Sequence, residues 1–288
     1  MDRTGLDDGI LTVDLGEGRV SISQDVATLA RWRVYGAASL TKPLIALEIR
    51  KLIDRGEIRL DQPIAELLPD MATQPSRSRG VTVRRLLQHT AGFDQHASGD
   101  PMFRTSLPLA CRAAAKTVLS RPLDFPPGSR LEYSNSGYCL LGELLLRHRE
   151  GIGRPLLETI ETAQWGAAGG WRSTLPELYA ALRQTLPIRD LAPERSMEDG
   201  SYYGYAWRHW PGEHDGPPWT HFGRLPGMVA VAISDGRNHL LVAHFEGDPV
   251  DYNPVAEQFS RDAWKCLPGW NAPAGPARTA SAPSLKGG

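Results

Sequence analysis

Apolar residues recur through the middle of the chain at the spacing of buried helix faces. From Ile45 to Ile53 they fall at i, i+4, i+7 and i+8, and Gly56 follows as a helix stop signal. The same periodicity, together with capping residues such as Thr82 and Thr174, predicts further helices. They cover residues 82–87, 107–119, 175–186 and 253–267, with another after residue 135 and a shorter one within 60–69.

Shorter apolar runs near both ends of the chain are typical of strands. Residues 10–15 and 19–24 predict a hairpin, and residues 31–35 predict a short extended segment. After a flexible turn expected at residues 166–170, the pattern changes to strands separated by turns. These strands cover residues 202–210, 219–223, 227–234 and 238–245.

This order of elements predicts an α/β (α+β) fold. Strands from both chain ends form one antiparallel sheet flanked by helices, and an all-helical domain is inserted between them. We expect residues 1–60 and 165–270 to form the sheet domain and residues 61–164 to form the helical domain. Residues 271–288 are rich in Ala, Pro, Ser and Gly and lack aromatic residues, which predicts a disordered tail.

The overall composition is that of a globular protein. The 288 residues, of which 41% are apolar, suffice for one large domain or two interleaved ones. A formal net charge of −1 gives no electrostatic reason to expect a nucleic acid or an anionic membrane as partner. No apolar run approaches the roughly 20 residues that a membrane span requires.

The cysteines provide evidence about the cellular compartment of the protein. Cys111, Cys139 and Cys266 are an odd number and widely spaced, so we expect buried free thiols. The first residues also lack the basic and apolar regions of a signal peptide. Both observations predict a cytoplasmic protein.

The strongest candidate for chemistry is Ser39-Leu40-Thr41-Lys42. A spacing of three places the hydroxyl and the amine on one face at the start of a helix. Helix N–H groups can then face an oxyanion, and the amine can take the hydroxyl proton. The alternative is an N-capping serine beside a solvated lysine. The chain has five lysines against 27 arginines and a single S-x-x-K, which favours the chemical interpretation.

Three motifs follow one another along the chain: Ser39-x-x-Lys42, Tyr133-x-Asn135 and His221-x-Gly223. Together they resemble the penicillin-recognising serine hydrolases, which include class C β-lactamases, D-alanyl-D-alanine carboxypeptidases and related esterases. The surrounding sequence is similar as well. The matching segments are residues 83–92, Pro127-Gly128, Ser136-Gly137-Tyr138, Gly169-Gly170, Ser173-Thr174 and Leu225-Pro226-Gly227.

The residue types suit acyl transfer. Ser39 needs a base to become a nucleophile, and Lys42 can act as one only if burial or neighbouring cations lower its pKa. Tyr133 is a phenol that could relay a proton to the leaving group, and Asn135 would hold the lysine and the substrate carbonyl. The resemblance implies a catalytic role for His221 and an oxyanion hole built from the backbone N–H groups of Ser39 and Arg224.

Other residues near these motifs have less specific signals. Gly223 would allow a backbone edge to approach the substrate closely. Trp165, Tyr205 and Trp207 belong to an aromatic-rich stretch, and we assign them to substrate binding, although core packing explains most such residues. His89 is given a structural role near a helix end. No metal-ligand spacing is present, so we expect neither a metal nor another cofactor.

The leading hypothesis is a serine hydrolase that cleaves a small ester, amide or peptide through an acyl-enzyme on Ser39. An acyltransferase that passes the same acyl group to an amine or alcohol is the alternative, and a non-catalytic binding protein is a third. The third motif begins with histidine where class C β-lactamases have lysine. This substitution favours esterase, peptidase or acyl-transfer activity over efficient β-lactam hydrolysis. The sequence does not indicate an oligomeric state.

Overall fold

The computed structural model describes residues 6–14, 19–23, 33–72, 78–97, 100–212 and 214–267. The predicted tail at 271–288, the turn of the first hairpin and the first two residues of the extended segment predicted at 31–35 lie outside these ranges. Within them, no helix is both long and apolar enough to cross a membrane.

The helices agree with most of the predicted ones. They are α1 (Thr41–Asp54), α2 (Ile64–Leu67), α3 (Val83–Leu87), α4 (Ala110–Val118), α5 (Asn135–Arg147), α6 (Arg154–Thr162), α7 (Gly166–Gly169), α8 (Leu175–Arg183) and α9 (Tyr252–Cys266), with 3₁₀ turns at Ala38–Leu40 and Pro101–Phe103. Thr174 and Glu177 form the predicted capping box of α8. The predicted flexible turn at 166–170 is wrong, because Gly166–Gly169 is the short helix α7. The helix α6 was not predicted.

The strands form an antiparallel sheet. They are β1 (Leu6–Asp14), β2 (Arg19–Ser23), β3 (Tyr35–Gly36), β4 (Arg172–Ser173), β5 (Tyr202–Tyr203), β6 (Arg208–His209), β7 (Trp219–Leu225), β8 (Met228–Ser234) and β9 (Leu240–Gly247). The main sheet has the order β2-β1-β9-β8-β7-β6-β5, which joins both ends of the chain as predicted, and β3 pairs with β4 separately. The single strand predicted at 202–210 is wrong, because Ala206 has a φ of 68° and separates β5 from β6.

The two faces of the sheet pack against different cores, as the alternating residues of β8 show. Val229, Val231 and Ile233 are buried against α9, with Ala256 on the helix side. The alternate residues, such as Ala230, face the larger core on the other side, which includes α1 and α5. Small alanines on that face allow the segment that carries Ser39 to approach the sheet closely.

A disulfide joins Cys111 on α4 to Cys139 on α5. The prediction of free thiols is therefore wrong for these two residues, and Cys266 is the unpaired cysteine, exposed at the end of α9. Disulfides persist mainly in oxidising compartments. The prediction of a cytoplasmic location thus loses the cysteine argument that supported it.

Candidate active site

Ser39 lies in the 3₁₀ turn that leads directly into α1. Ala38, which precedes it, has a φ of 45°, and the Thr41 hydroxyl donates to the Ala38 carbonyl over 2.8 Å. The turn packs against β7 and α7, so Ser39 is buried with 8% of its surface exposed. The strained backbone is held by these contacts and fixes the direction of the Ser39 hydroxyl.

Lys42 lies one turn later and is completely buried. Its ammonium group donates to three acceptors. These are the Ser39 hydroxyl at 3.0 Å, the Asn135 side-chain oxygen at 2.6 Å and the Ala168 carbonyl at 2.6 Å. Because an ammonium has three N–H bonds, this set satisfies it fully.

Burial is the main influence on the charge of Lys42. Loss of solvation lowers the pKa of Lys42 to about 7, and the negative charge of Asp100 acts in the opposite direction. A substantial fraction of the molecules therefore carries a neutral amine at neutral pH. The amine is in hydrogen-bonding contact with Ser39, as required of a general base.

Asp100 is a site residue that the sequence analysis missed. Its carboxylate is 2% exposed and accepts hydrogen bonds from the Asn135 amide at 2.5 Å and from the Met102 N–H at 2.8 Å. Burial raises the pKa of Asp100, while these two donors and the Lys42 ammonium act to lower it. Asn135 thus bridges a buried cation and a buried carboxylate.

Tyr133 lies beside Lys42, whose nitrogen is 5.0 Å from the centre of the phenol ring. Burial raises the pKa of Tyr133 well above 10, and the neighbouring Ser39 hydroxyl acts in the opposite direction. The phenol oxygen is buried and has no hydrogen-bond partner among the described residues. A phenol with a raised pKa is protonated at neutral pH, so the proton is in place, although the phenol is a weaker acid than in water.

His89 packs against the Tyr133 motif, which agrees with its predicted structural role. Its Nδ1 accepts the Ser134 backbone N–H at 3.1 Å, and its ring stacks on Tyr133 with centroids 4.2 Å apart. Burial lowers the pKa of His89 well below 6.5, so the ring is neutral. Tyr203 packs edge-on against both rings and is a further residue of this cluster that the sequence did not indicate.

His221 is buried and neutral. Burial, assisted by the positive charge of Lys42, lowers the pKa of His221 to about 3, and the hydrogen bond to the Ala206 backbone acts in the opposite direction. The Nδ1–H donates to the Ala206 carbonyl at 2.7 Å, which leaves Nε2 as the unprotonated nitrogen. The positive φ of Ala206 turns that carbonyl toward the ring.

Gly223 lies where β7 touches residues 37–39. A Cβ atom at this position would be 3.0 Å from the Ala37 carbonyl oxygen, the Ala38 Cβ and the Ser39 backbone nitrogen. Only glycine leaves room for this approach. The packing brings the backbone of β7 next to the backbone N–H of Ser39, as a shared oxyanion hole requires.

Arg224 contributes to this region through its backbone alone. Its guanidinium lies on the α9 side of the sheet, where it donates to Asp248 at 2.8 Å and covers the Tyr252 ring. The backbone N–H remains the group that we predict to act with that of Ser39.

The structure does not bring all the predicted substrate-binding residues to Ser39. The Trp207 side chain is 1% exposed and donates to the Thr185 hydroxyl, so it is a core residue. Tyr205 lies with it beside a small cavity along α1, formed with residues such as Leu47 and Arg50. Both rings face this cavity and the core, and the assignment of the two residues to substrate binding stays a prediction. Trp165 directly precedes α7 and packs against the main core.

An antiparallel sheet packed on helices, with a serine and a buried lysine where they meet, defines the class of β-lactamase-like and penicillin-binding proteins. The model of the family described as Beta-lactamase matches residues 30–185, and the chain belongs to this family. The predicted recognition of the fold and of the family is therefore confirmed.

Relatives of this chain have several activities. Esterase EstB of Burkholderia gladioli is 30% identical over 188 residues, which are 58% of this chain and 45% of EstB. A probable fimbrial assembly protein FimD of Dichelobacter nodosus is 36% identical over 105 residues, 36% of this chain and 27% of FimD. The chain spans less than half the length of these two relatives.

A solved structure shows the same fold over nearly the whole length. The β-lactamase/D-alanine carboxypeptidase from Yersinia pestis, complexed with citrate, has a TM-score of 0.69. The match covers 91% of this chain and 93% of that one at 16% identity. At this identity the similarity establishes the fold and not the activity.

Proposed function

We propose that the protein is a serine hydrolase that cleaves a small ester or amide through an acyl-enzyme on Ser39. The observation that carries this proposal is the buried Lys42 amine, 3.0 Å from the Ser39 hydroxyl and with a pKa of about 7. A structural lysine gains nothing from such a position, because burial of an ammonium is unfavourable. A general base for Ser39 requires both the contact and the lowered pKa.

In the first step, neutral Lys42 accepts the Ser39 proton while the Ser39 oxygen attacks the substrate carbonyl carbon. The carbonyl oxygen becomes an oxyanion, and the backbone N–H groups of Ser39 and Arg224 donate to it. Each such donor typically contributes about 3–4 kcal/mol to transition-state stabilisation. The close packing at Gly223 supports this arrangement.

In the second step, the bond to the alcohol or amine breaks. Tyr133 donates its proton to the leaving group and is reprotonated by the Lys42 ammonium, so the site returns to its initial protonation state. The raised pKa keeps Tyr133 protonated at neutral pH, so that it holds the proton which the leaving group takes. Water then attacks the acyl-enzyme by the same steps in reverse, which releases the acid.

The chemistry of His221 favours esters and simple amides over β-lactams. Penicillins carry a carboxylate, and a lysine at this position would offer it a cation. The pKa of about 3 keeps His221 neutral, and its Nδ1–H is already used by Ala206. A charge-assisted hydrogen bond in a desolvated site exceeds a neutral one by about 1 to 1.5 kcal/mol, which is roughly five- to tenfold in affinity.

The proposal is tested by labelling with a fluorophosphonate. We expect a single adduct, located on Ser39 by peptide mass spectrometry, and no adduct on Ser39→Ala. Ser136→Ala, which changes a buried serine of α5 next to the second motif, serves as the control and should label normally. Labelling that persists in Ser39→Ala would refute the assignment of the nucleophile.

The substrate preference is tested with p-nitrophenyl acetate and nitrocefin. We expect kcat/KM to be about fivefold or more higher for the ester, because a neutral His221 offers no cation to the nitrocefin carboxylate. Intact mass spectra recorded with and without added amines or alcohols then distinguish hydrolysis from acyl transfer. Faster hydrolysis of nitrocefin than of the ester would contradict the assignment as an esterase or amidase.

A further inference from the structure

We propose that Asp100 is a positioning residue that holds the Asn135 amide in one orientation, so that the electron pair of neutral Lys42 points only at Ser39. This inference rests on the proposed function, because it concerns how the general base is directed. Asp100 belongs to none of the three sequence motifs.

The three neighbours of Lys42 differ in what they can accept and donate. The Ala168 carbonyl and the Asn135 oxygen are acceptors only, whereas the Ser39 hydroxyl can also donate. When Lys42 loses one proton, its two remaining N–H bonds satisfy the two carbonyl oxygens. The electron pair that is left faces Ser39, and the Ser39–Lys42 hydrogen bond reverses its direction. This is the arrangement from which the Ser39 proton is transferred.

The direction of the electron pair depends on which end of the Asn135 amide faces Lys42. A flipped amide would direct its NH₂ group at Lys42, where it would compete with the Ser39 hydroxyl for the electron pair. It would also direct its oxygen at the Asp100 carboxylate, where two acceptors would face each other. With Asp100 ionised, only one orientation satisfies both neighbours, since the ammonium donates and the carboxylate accepts.

Asp100 is itself firmly held. Its second oxygen accepts the Met102 N–H, and its own N–H donates to the Gln95 carbonyl at 3.3 Å. The Met102 side chain is buried and packs against α7, where a Cβ atom at Gly169 would be 2.7 Å from its terminal methyl group. The carboxylate is therefore anchored to the same helix whose Ala168 carbonyl binds Lys42.

The negative charge of Asp100 has a second measurable effect, which is on the pKa of Lys42. The other titratable groups around Lys42 are neutral at pH 7, because burial lowers the pKa of His89 and His221 and raises the pKa of Tyr133 and Tyr138. Asp100 is the group that raises the pKa of Lys42 against the effect of burial. Removal of this charge should therefore lower the pKa of Lys42, and the acid limb of a pH–rate profile should move to lower pH.

The test compares Asp100→Asn with wild type by the rate of fluorophosphonate labelling between pH 5 and pH 9. We expect the limiting rate to fall about 10- to 100-fold, because the amide is no longer locked. We expect the midpoint of the acid limb to fall by about 1 pH unit, because an opposite charge is lost. Asp94→Asn is the matched control. Asp94 lies six residues earlier in the chain, where it accepts the His96 N–H and pairs with Arg130.

The pKa of Lys42 is measured independently of any reaction by NMR of protein labelled with ¹³C-lysine, which has only five lysines to resolve. We expect the Lys42 signal to titrate near pH 7 in wild type and at lower pH in Asp100→Asn. If wild type is not labelled at Ser39, the proposed function fails, and the NMR titration still tests the interaction of Asp100 with Lys42.

Asp100→Glu covers the case in which Asp100→Asn folds poorly. It keeps the charge and displaces the carboxylate, so the limiting rate should fall while the acid limb stays near that of wild type. An unchanged rate and an unchanged Lys42 titration in Asp100→Asn would overturn the proposal. So would a loss of rate no larger than that of Asp94→Asn.

Discussion

Lys42→Met is expected to abolish acylation of Ser39 and to change how stability depends on pH. Loss of a general base typically reduces a rate about 10²- to 10⁴-fold, so labelling by fluorophosphonate should nearly disappear. The stability effect follows from the burial of the amine, since the pKa of Lys42 is about 7 in the folded state and 10.5 when solvated. Between these values the unfolded chain binds more protons than the folded protein.

The sign of the effect follows from this difference in proton binding. As the pH rises above about 7, wild type gains stability from Lys42, and the gain is complete near pH 10.5. Methionine has no proton to bind. The free energy of unfolding of Lys42→Met, minus that of wild type, should therefore fall by about 1.4 kcal/mol per pH unit above pH 7. Below pH 7 this difference should be constant.

The measurement is urea denaturation of both proteins at pH 6, 7, 8 and 9. Lys51→Met is the matched control, because Lys51 lies on the same helix, is partly exposed and pairs with Glu48 at 2.8 Å. It should label at the wild-type rate, and its stability difference should not depend on pH in this way. A Lys42→Met protein that labels normally would exclude Lys42 as the base.

Gly223→Ala is expected to lower the labelling rate about 10²- to 10³-fold. The added Cβ would lie 3.0 Å from three atoms of residues 37–39, two of which belong to the backbone. Backbone atoms cannot move aside as a flexible side chain does, so the 3₁₀ turn and β7 must separate. The N–H groups of Ser39 and Arg224 would then no longer face one oxygen atom. Loss of one oxyanion donor alone costs a factor of this size.

Gly36→Ala is the matched control for this prediction. Gly36 lies in β3, close to the same segment, but a Cβ atom there would make an ordinary contact of 3.5 Å with Leu225. Its labelling rate and thermal unfolding should stay near those of wild type. A Gly223→Ala protein that is less stable but labels at the wild-type rate would show that the glycine serves packing alone.

Much of the fold could be predicted because periodicity and burial coincide in the main elements. Ile45, Ile49 and Leu52 are fully buried along α1, and β8 alternates between the two cores. The motifs around Ser39, Tyr133 and Asn135 also lie together as their chemistry suggested. In these segments the local sequence preference and the tertiary environment point in the same direction.

The remaining site residues depend on contacts that leave no local pattern. Asp100 lies in a loop, 35 residues before its partner Asn135. Nothing in the sequence Ser98-Gly99-Asp100-Pro101 indicates that its carboxylate enters the core. The positions of Tyr205 and Trp207 were not predictable for a related reason. A strand of alternating residues would have had a predictable inner face, but the positive φ of Ala206 breaks that alternation.

The disulfide between Cys111 and Cys139 has a practical consequence. Cys139 lies one turn beyond Asn135 on α5, so the cross-link ties α4 to the helix that begins with Asn135. Protein made in a reducing host and protein made in an oxidising one would be two chemical species with one sequence, two mass units apart. Kinetic results from different batches are comparable only when the oxidation state of each batch has been established.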